Sequence, residues 1–120
     1  MDPYHAGGLL LDVRTTAEWK AGHFQNAVHV PVDELPARLP EIHDRAFALQ
    51  RMGPIPEDCA YLHLDVPILV MCKLGRRAER AKRILERGGF NRVCNIGGID
   101  VEPLASMIDV GSRAWVRGLE

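Results

Sequence analysis

Short continuous apolar runs alternate along the chain with stretches in which apolar residues recur once per helical turn. Gly8-Leu-Leu-Leu-Asp12-Val13 reads as a first buried strand, with glycines before it and Thr15-Thr16 after it. A short helix follows, capped by Thr15 or Thr16, with Glu18 in its first turn and Gly22 as its stop. Ala27-Val-His29-Val30 is a second strand closed by Pro31, and Val32 to Leu39 a second short helix with Asp33 near its start. Pro67-Ile-Leu-Val-Met-Cys72 is a third, wholly apolar run, and from Arg77 the residues Ala78, Ala81, Ile84 and Leu85 mark one face of an amphipathic helix. Gly88-Gly89 ends that helix, Arg92-Val-Cys94-Asn95-Ile96 forms the next strand, and Gly97-Gly98 reads as a tight turn. The alternation predicts an α/β domain: a central parallel sheet of four to five strands with helices on both faces.

Two stretches fit this alternation poorly. Residues 40–66 combine a helix-compatible segment, Glu41 to Arg51, with the turn-rich Met52-Gly-Pro-Ile-Pro-Glu-Asp58. A connection of that length is a lid, a partner surface or a tolerated surface insertion. Val101 to Ile108 reads as a last short helix broken early by Pro103.

With 120 residues and 47% hydrophobic content, the chain is expected to form one domain over 1–120, with its core at about 8–110 and a monomeric state. Leu119-Glu120 has the form of a cloning scar. The formal net charge of −1 gives no reason to expect a nucleic acid or a membrane as partner. No stretch has the length of a membrane span, and Met1-Asp2-Pro3-Tyr4-His5 lacks the basic and apolar regions of a signal peptide. The expected location is the cytoplasm, or the periplasm for a mature form whose signal has been removed. Cys59, Cys72 and Cys94 are odd in number and widely spaced, with no zinc pattern and no disulfide framework. Phosphate-loop, dinucleotide and serine-elbow motifs are absent.

One charge feature changes this picture. Between Lys73 and Arg92 lie eight basic residues (Lys73, Arg76, Arg77, Arg80, Lys82, Arg83, Arg87 and Arg92) against two acids, Glu79 and Glu86. A solvated helix face accounts for Lys82, Arg83 and Arg87. The excess begins, however, directly after Cys72, where residues 73–76 must curl back from strand to helix and Gly75 permits an unusual backbone angle. Amide groups in such a curl point inward, and the helix N-terminus adds partial positive charge. Cations and amide donors favour the thiolate, which is the nucleophilic form of cysteine. An inert buried cysteine at a strand end is the bland alternative, and the loop that follows Cys72 weighs against it.

Cys72-Lys-Leu-Gly-Arg-Arg-Ala78 resembles the active-site loop of rhodanese-like sulfurtransferases, Cys-x-x-Gly-x-Arg-Ser/Ala. Leu10-Leu-Asp12-Val-Arg14, Glu18-Trp19, Gly22-His23, Asn26-Ala27, Val30-Pro31 and Asn95-Ile-Gly97-Gly98 follow the family's landmarks in order, so the resemblance spans about residues 8–99. The short N-terminus and the ending after Gly97-Gly98 are most similar to the single-domain type represented by phage shock protein E. Two features depart from the larger family: the aromatic residue usual after the double glycine is absent, and so are a strand and helix before Asp12-Val-Arg14.

The resemblance implies a thiosulfate sulfurtransferase-type enzyme without metal or organic cofactor. Cys72 is the implied catalytic nucleophile and carries the sulfur as a persulfide; Lys73, Leu74, Gly75, Arg76 and Arg77 are the implied substrate-binding residues. The implied partners are a small anionic sulfur donor and a thiophilic acceptor such as cyanide, a thiol or a protein. Family members that prefer thiosulfate often carry a polar or cationic residue at the Leu74 position, so a persulfide donor is the alternative. Asp12 and Arg14 read as a supporting hydrogen-bonded pair, His23 and His29 as structural, and Trp19 as a packing residue. Three rivals stand beside this reading. A phosphatase on the same fold needs Cys-x5-Arg, where this chain has Ala78. A thiol-linked arsenate reductase needs a resolving cysteine, yet Cys94 is expected to face the core. A non-catalytic binding domain does not require Cys72.

Overall fold

A computed structural model describes residues 8–51, 66–100, 105 and 115–117. The elements, in chain order, are β1 (Leu9–Asp12), α1 (Thr16–Ala21), β2 (Gly22–Phe24), β3 (Val28–His29), α2 (Leu35–Arg51), β4 (Ile68–Cys72), α3 (Arg76–Arg87), β5 (Val93–Gly98) and β6 (Trp115–Arg117). Four strands form a parallel sheet in the order β3-β1-β4-β5. From β1 the chain crosses to β3 on one side, and from β4 it crosses to β5 on the other. The crevice outside the carboxyl ends of β1 and β4 is thus the point at which the winding reverses, where open α/β sheets place their sites.

The apolar runs explain the central strands. All five residues of β4 are buried, as expected for a strand covered on both faces. Leu9, Leu11, Ile68, Val70 and Cys72 face one way and pack with Leu35, Ile42 and Ala46 of α2 and Ala78, Ala81 and Leu85 of α3. Leu10, Leu69 and Met71 face the other way, against Phe24, Ala27, Ile96 and Ile99. At the end of α3, the Gly89 N–H donates to Glu86 O and the Phe90 N–H to Leu85 O, both at 3.2 Å, with Gly89 at φ 100°. This double closure is the reason for the glycine at position 89.

Two expectations are corrected, and one element is new. The helices expected at 32–39 and 41–51 are one, α2, which runs through Pro40. Leu35, Leu39, Ile42 and Ala46 fall at i, i+4, i+7 and i+11, so one apolar stripe crosses the proline, and its burial outweighs one missing N–H. Gly97-Gly98 is no turn but the end of β5, pairing with Met71 and Cys72 after a register shift between Val70 and Met71. A second, two-stranded antiparallel sheet of β2 and β6 was not expected at all. Met52–Asp58 and Cys59 lie outside the described residues, as does the expected helix at 101–108 apart from Ala105, which is helical.

Candidate active site

Cys72 closes β4 and is buried, and its Sγ accepts hydrogen bonds from the Gly75 N–H at 2.9 Å and the Ala78 N–H at 3.4 Å. Gly75 is the residue that caps α3; its φ of 96° is left-handed, and it has no side chain to satisfy the first amides of the helix. Ala78 is the third helical residue, whose amide an N-cap side chain ordinarily serves. The sulfur fills that role. The amides of the cradle are thus those of Gly75, inside the 73–76 curl, and Ala78, two residues beyond it.

A third element holds the loop down. The Cys72 and Lys73 carbonyls accept from the Ile99 and Asp100 N–H groups at 3.0 and 3.1 Å. Gly98 lies so close beneath Lys73 that a Cβ there would fall on the Lys73 carbonyl. Asn95 Nδ2 donates to Gly75 O at 3.0 Å and to Glu79 Oε1 at 3.3 Å, while Asn95 Oδ1 accepts from the Gly97 N–H at 2.8 Å. Asn95 therefore ties the carbonyl of the capping glycine to β5. Sequence reading marked Asn95 as a landmark but gave it no role; its place next to the double glycine was the available signal.

On the β1 side, Asp12 and Arg14 form a buried ion pair, Nη2 to Oδ2 at 2.7 Å, with Nε 3.0 Å from both carboxylate oxygens. The Arg14 N–H also donates to Asp12 Oδ1, and the guanidinium donates to the carbonyls of Glu18 and Gly22 at 3.3 and 2.7 Å. The pair ties the end of β1 to the last turn of α1. At the other end of that helix, Thr15 and Glu18 make a reciprocal capping box. Trp19 stacks on His23 and His29, with ring centroids 3.6 and 4.8 Å away. His23 Nδ1 and His29 Nε2 lie 2.9 and 2.8 Å from the Trp19 and Arg14 carbonyls. Since a carbonyl only accepts, those nitrogens carry the protons, and the residues brace the fold.

Much of the positive charge around the loop is matched. Arg77 Nη1 and Nη2 donate to Glu18 Oε1 and Oε2 at 2.6 and 3.0 Å, which joins α3 to α1. The Arg77 hydrogen bond holds the Glu18 carboxyl at about 2, with the Thr15 donors and the Arg77 charge adding and burial opposing. Arg77 in turn is held above its ordinary value by the Glu18 hydrogen bond, with smaller contributions from the charges of Glu18, Cys72 and Asp12 against burial. Lys73 Nζ lies 3.9 Å from Asp100. Arg76 is exposed and has no carboxylate partner among the described residues. Leu74 is 60% exposed, an apolar side chain at the loop rim.

The rhodanese-like domain family model matches residues 2–101. The chain belongs to this family. It is similar to a protein named tRNA uridine(34) hydroxylase from Enterobacter sp., at 30% identity over 92% of this chain. It spans about a quarter of that relative's length, 26%. Among solved structures it resembles an Escherichia coli rhodanese with bound anions, at 21% identity and a TM-score of 0.61, covering 92% of this chain and 99% of that one. A human single-domain sulfurtransferase has 25% identity and a TM-score of 0.55, with 79% of each chain covered.

Within this rhodanese-like chain, Cys94 is exposed on the edge strand β5, which corrects the expectation that it faces the core. It pairs with Leu69, three residues before Cys72 on β4. At about 3.3 Å per residue that offset is roughly 10 Å, beyond the span of a disulfide. Among the described residues no cluster of three or more His, Cys, Asp or Glu is placed to hold a metal ion. A cavity of about 450 Å³ lies between Leu9 and Leu10, Asn26 and Val28, and Arg45, Ala48 and Leu49 of α2. None of its lining residues belongs to the Cys72 loop.

Proposed function

We propose that the chain is a sulfurtransferase working by double displacement through Cys72. The observation that carries this reading is the pair of amide N–H groups, Gly75 and Ala78, aimed at one sulfur at the mouth of the α3 helix. The Cys72 thiolate attacks the outer sulfur of thiosulfate or of a persulfide donor. The donor's S–S bond breaks, sulfite or a thiolate leaves with the electron pair, and Cys72 holds a persulfide. A thiophile such as cyanide or a thiol then takes the outer sulfur, returning the electron pair to Sγ. The two amides and the helix N-terminus stabilise the negative charge that resides there before and after each transfer. No metal or organic cofactor enters this scheme.

Of the loop residues, Arg76 suits an anionic donor best, because Arg77 is committed to Glu18 and Lys73 is close to Asp100. Leu74 at the rim favours an organic persulfide over inorganic thiosulfate. The position of Ala78 argues against a phosphatase, and that of Cys94 against a dithiol mechanism using that cysteine. The deciding experiment is mass spectrometry of the intact protein after treatment with thiosulfate or glutathione persulfide, with Cys72→Ser as the blank. One added sulfur on Cys72 is expected, and wild-type protein left unmodified by both donors overturns the proposal.

A second reading is favoured by the 30% identity to proteins named tRNA uridine(34) hydroxylase: the chain is the cysteine-bearing part of a larger tRNA-modifying activity. Nucleoside analysis of tRNA from cells with and without the Cys72→Ser substitution tests it. A loss of hydroxylated uridine at position 34 supports that reading, and an unchanged profile removes it.

A further inference from the structure

The exposed face of α3 carries a feature of which the proposed sulfur chemistry uses only one end, Arg76. Arg76, Arg80, Arg83 and Arg87 fall at i, i+4, i+7 and i+11, which places all four on one narrow arc of the helix, opposite the buried Ala78, Ala81 and Leu85. The arc is solvent-facing: the Arg80 and Arg83 side chains are 62% and 72% exposed, and Arg76 and Arg87 are exposed as well. At about 1.5 Å per residue the stripe is roughly 16 Å long. One end is Arg76, the residue after the glycine whose N–H holds Cys72 Sγ. The carboxylates near it are weak competitors. Asp33 meets Arg80 at 3.0 Å but is 83% exposed, Glu79 reaches Arg83 only at 4.0 Å, and Arg76 and Arg87 have no carboxylate partner among the described residues. Arg76 in the first turn also lies at the positive end of the helix dipole, where a cation costs stability. Helix formation does not explain its presence there.

We propose that this stripe docks an acidic segment of a protein thiol partner and sets the partner's sulfur at Cys72. The inference rests on the sulfurtransferase reading and names its acceptor class. A folded or helical acidic segment matches a line of four arginines of this length by charge, and exposed pairs of this kind set encounter rate and orientation more than depth of binding. RNA fits less well. The chain has a formal charge of −1, and the stripe has no aromatic side chain among its arginines on which a base could stack. In the step served, the partner's thiolate attacks the outer sulfur of the Cys72 persulfide. The bond between that sulfur and Cys72 Sγ breaks, its electron pair returns to Sγ, and the partner leaves as the persulfide, with no change in net oxidation state.

The test uses the full chain and a synthetic helical peptide with one cysteine and glutamates at i, i+4, i+7 and i+11, beside a twin in which glutamine replaces each glutamate. Sulfur transfer from persulfide-loaded protein to each peptide and to dithiothreitol is followed, as is binding of each peptide to unloaded Cys72→Ser protein. The acidic peptide is expected to accept sulfur about tenfold faster than its twin at low salt, with the preference fading as salt rises. Arg80→Glu, Arg83→Glu, Arg87→Glu together should abolish the preference while leaving transfer to dithiothreitol unchanged, and a lysine-bearing peptide should then be preferred. Equal rates and equal binding for the acidic and neutral peptides overturn the proposal, as does a uridine oligonucleotide that displaces the acidic peptide at lower concentration. Should the protein fail to load sulfur at all, the sulfurtransferase reading fails, while peptide binding to Cys72→Ser still reports on the stripe.

Discussion

Two neighbouring clusters at the carboxyl end of the sheet use the same groups, backbone amides, carbonyls and charges, to opposite ends. Around Arg14 the guanidinium is buried against both oxygens of Asp12 and the carbonyls of Glu18 and Gly22. Around Cys72, two amides converge on a sulfur at the edge of a loop whose next residues, Lys73 and Leu74, are exposed. A saturated buried pair fixes geometry and has nothing left to offer a ligand. A sulfur that accepts from two amides is, under the proposed sulfur transfer, the reacting atom itself. The first cluster should therefore fail as stability, and the second as chemistry.

The largest contrast is expected from Cys72→Ser. It should abolish sulfur transfer while the urea midpoint changes little, because the hydroxyl keeps the acceptor role towards Gly75 and Ala78. Retention of most of the thiosulfate:cyanide activity would break the comparison on the chemical side. Asp12→Ala breaks it on the other: Arg14 is left buried without its carboxylate, and a loss of about 3–5 kcal/mol in denaturant unfolding is expected. A loss below about 1 kcal/mol would mean that the pair is not the anchor of α1 to β1.

Glu18→Gln lies between the two clusters, since Glu18 belongs to α1 and its partner Arg77 to the helix of the loop. Glutamine still completes the capping box, so the change isolates the charge on Arg77. With side chains 27% and 33% exposed, the pair contributes about 1 kcal/mol. The folded value of Glu18, about 2, lies below the ordinary carboxyl value of 4.5, so its contribution is complete above that ordinary value and disappears as pH falls through about 2. The wild-type advantage over Glu18→Gln should accordingly be full near neutrality and gone by pH 2. An advantage that persists unchanged in acid would separate Glu18 from the loop. The smallest effect is expected from Cys94→Ala: unchanged transfer and a stability shift within about 0.5 kcal/mol, because the side chain is exposed. Loss of turnover in that variant, folded, would return the redox mechanism to consideration.

Legibility followed the distance over which each feature is decided. The capping box of α1 joins residues 15 and 18, and the closure of α3 is completed within residues 85–90; both are local, and the sequence carries their signals. The continuity of α2 is also written there, in the stripe of Leu35, Leu39, Ile42 and Ala46 that crosses Pro40. Cys72 was legible because an apolar strand, a glycine loop and a helical period meet at one residue.

Tertiary structure alone decided how the charges and glycines near that residue are used. Arg77 looked like a cation free for a substrate until Glu18, 59 residues away, took both of its terminal nitrogens. Gly97-Gly98 has the composition of a turn, yet it is a strand end because the loop at Lys73 must come down on Gly98 where no Cβ can stand. Cys94 has the composition of a core residue but sits on the edge strand, open to solvent. Period and local hydrogen bonding determine which elements form and where the sulfur is presented. Pairing between distant segments determines which amides, carboxylates and glycines surround it, because those contacts depend on the order of strands in the sheet, which no local pattern encodes.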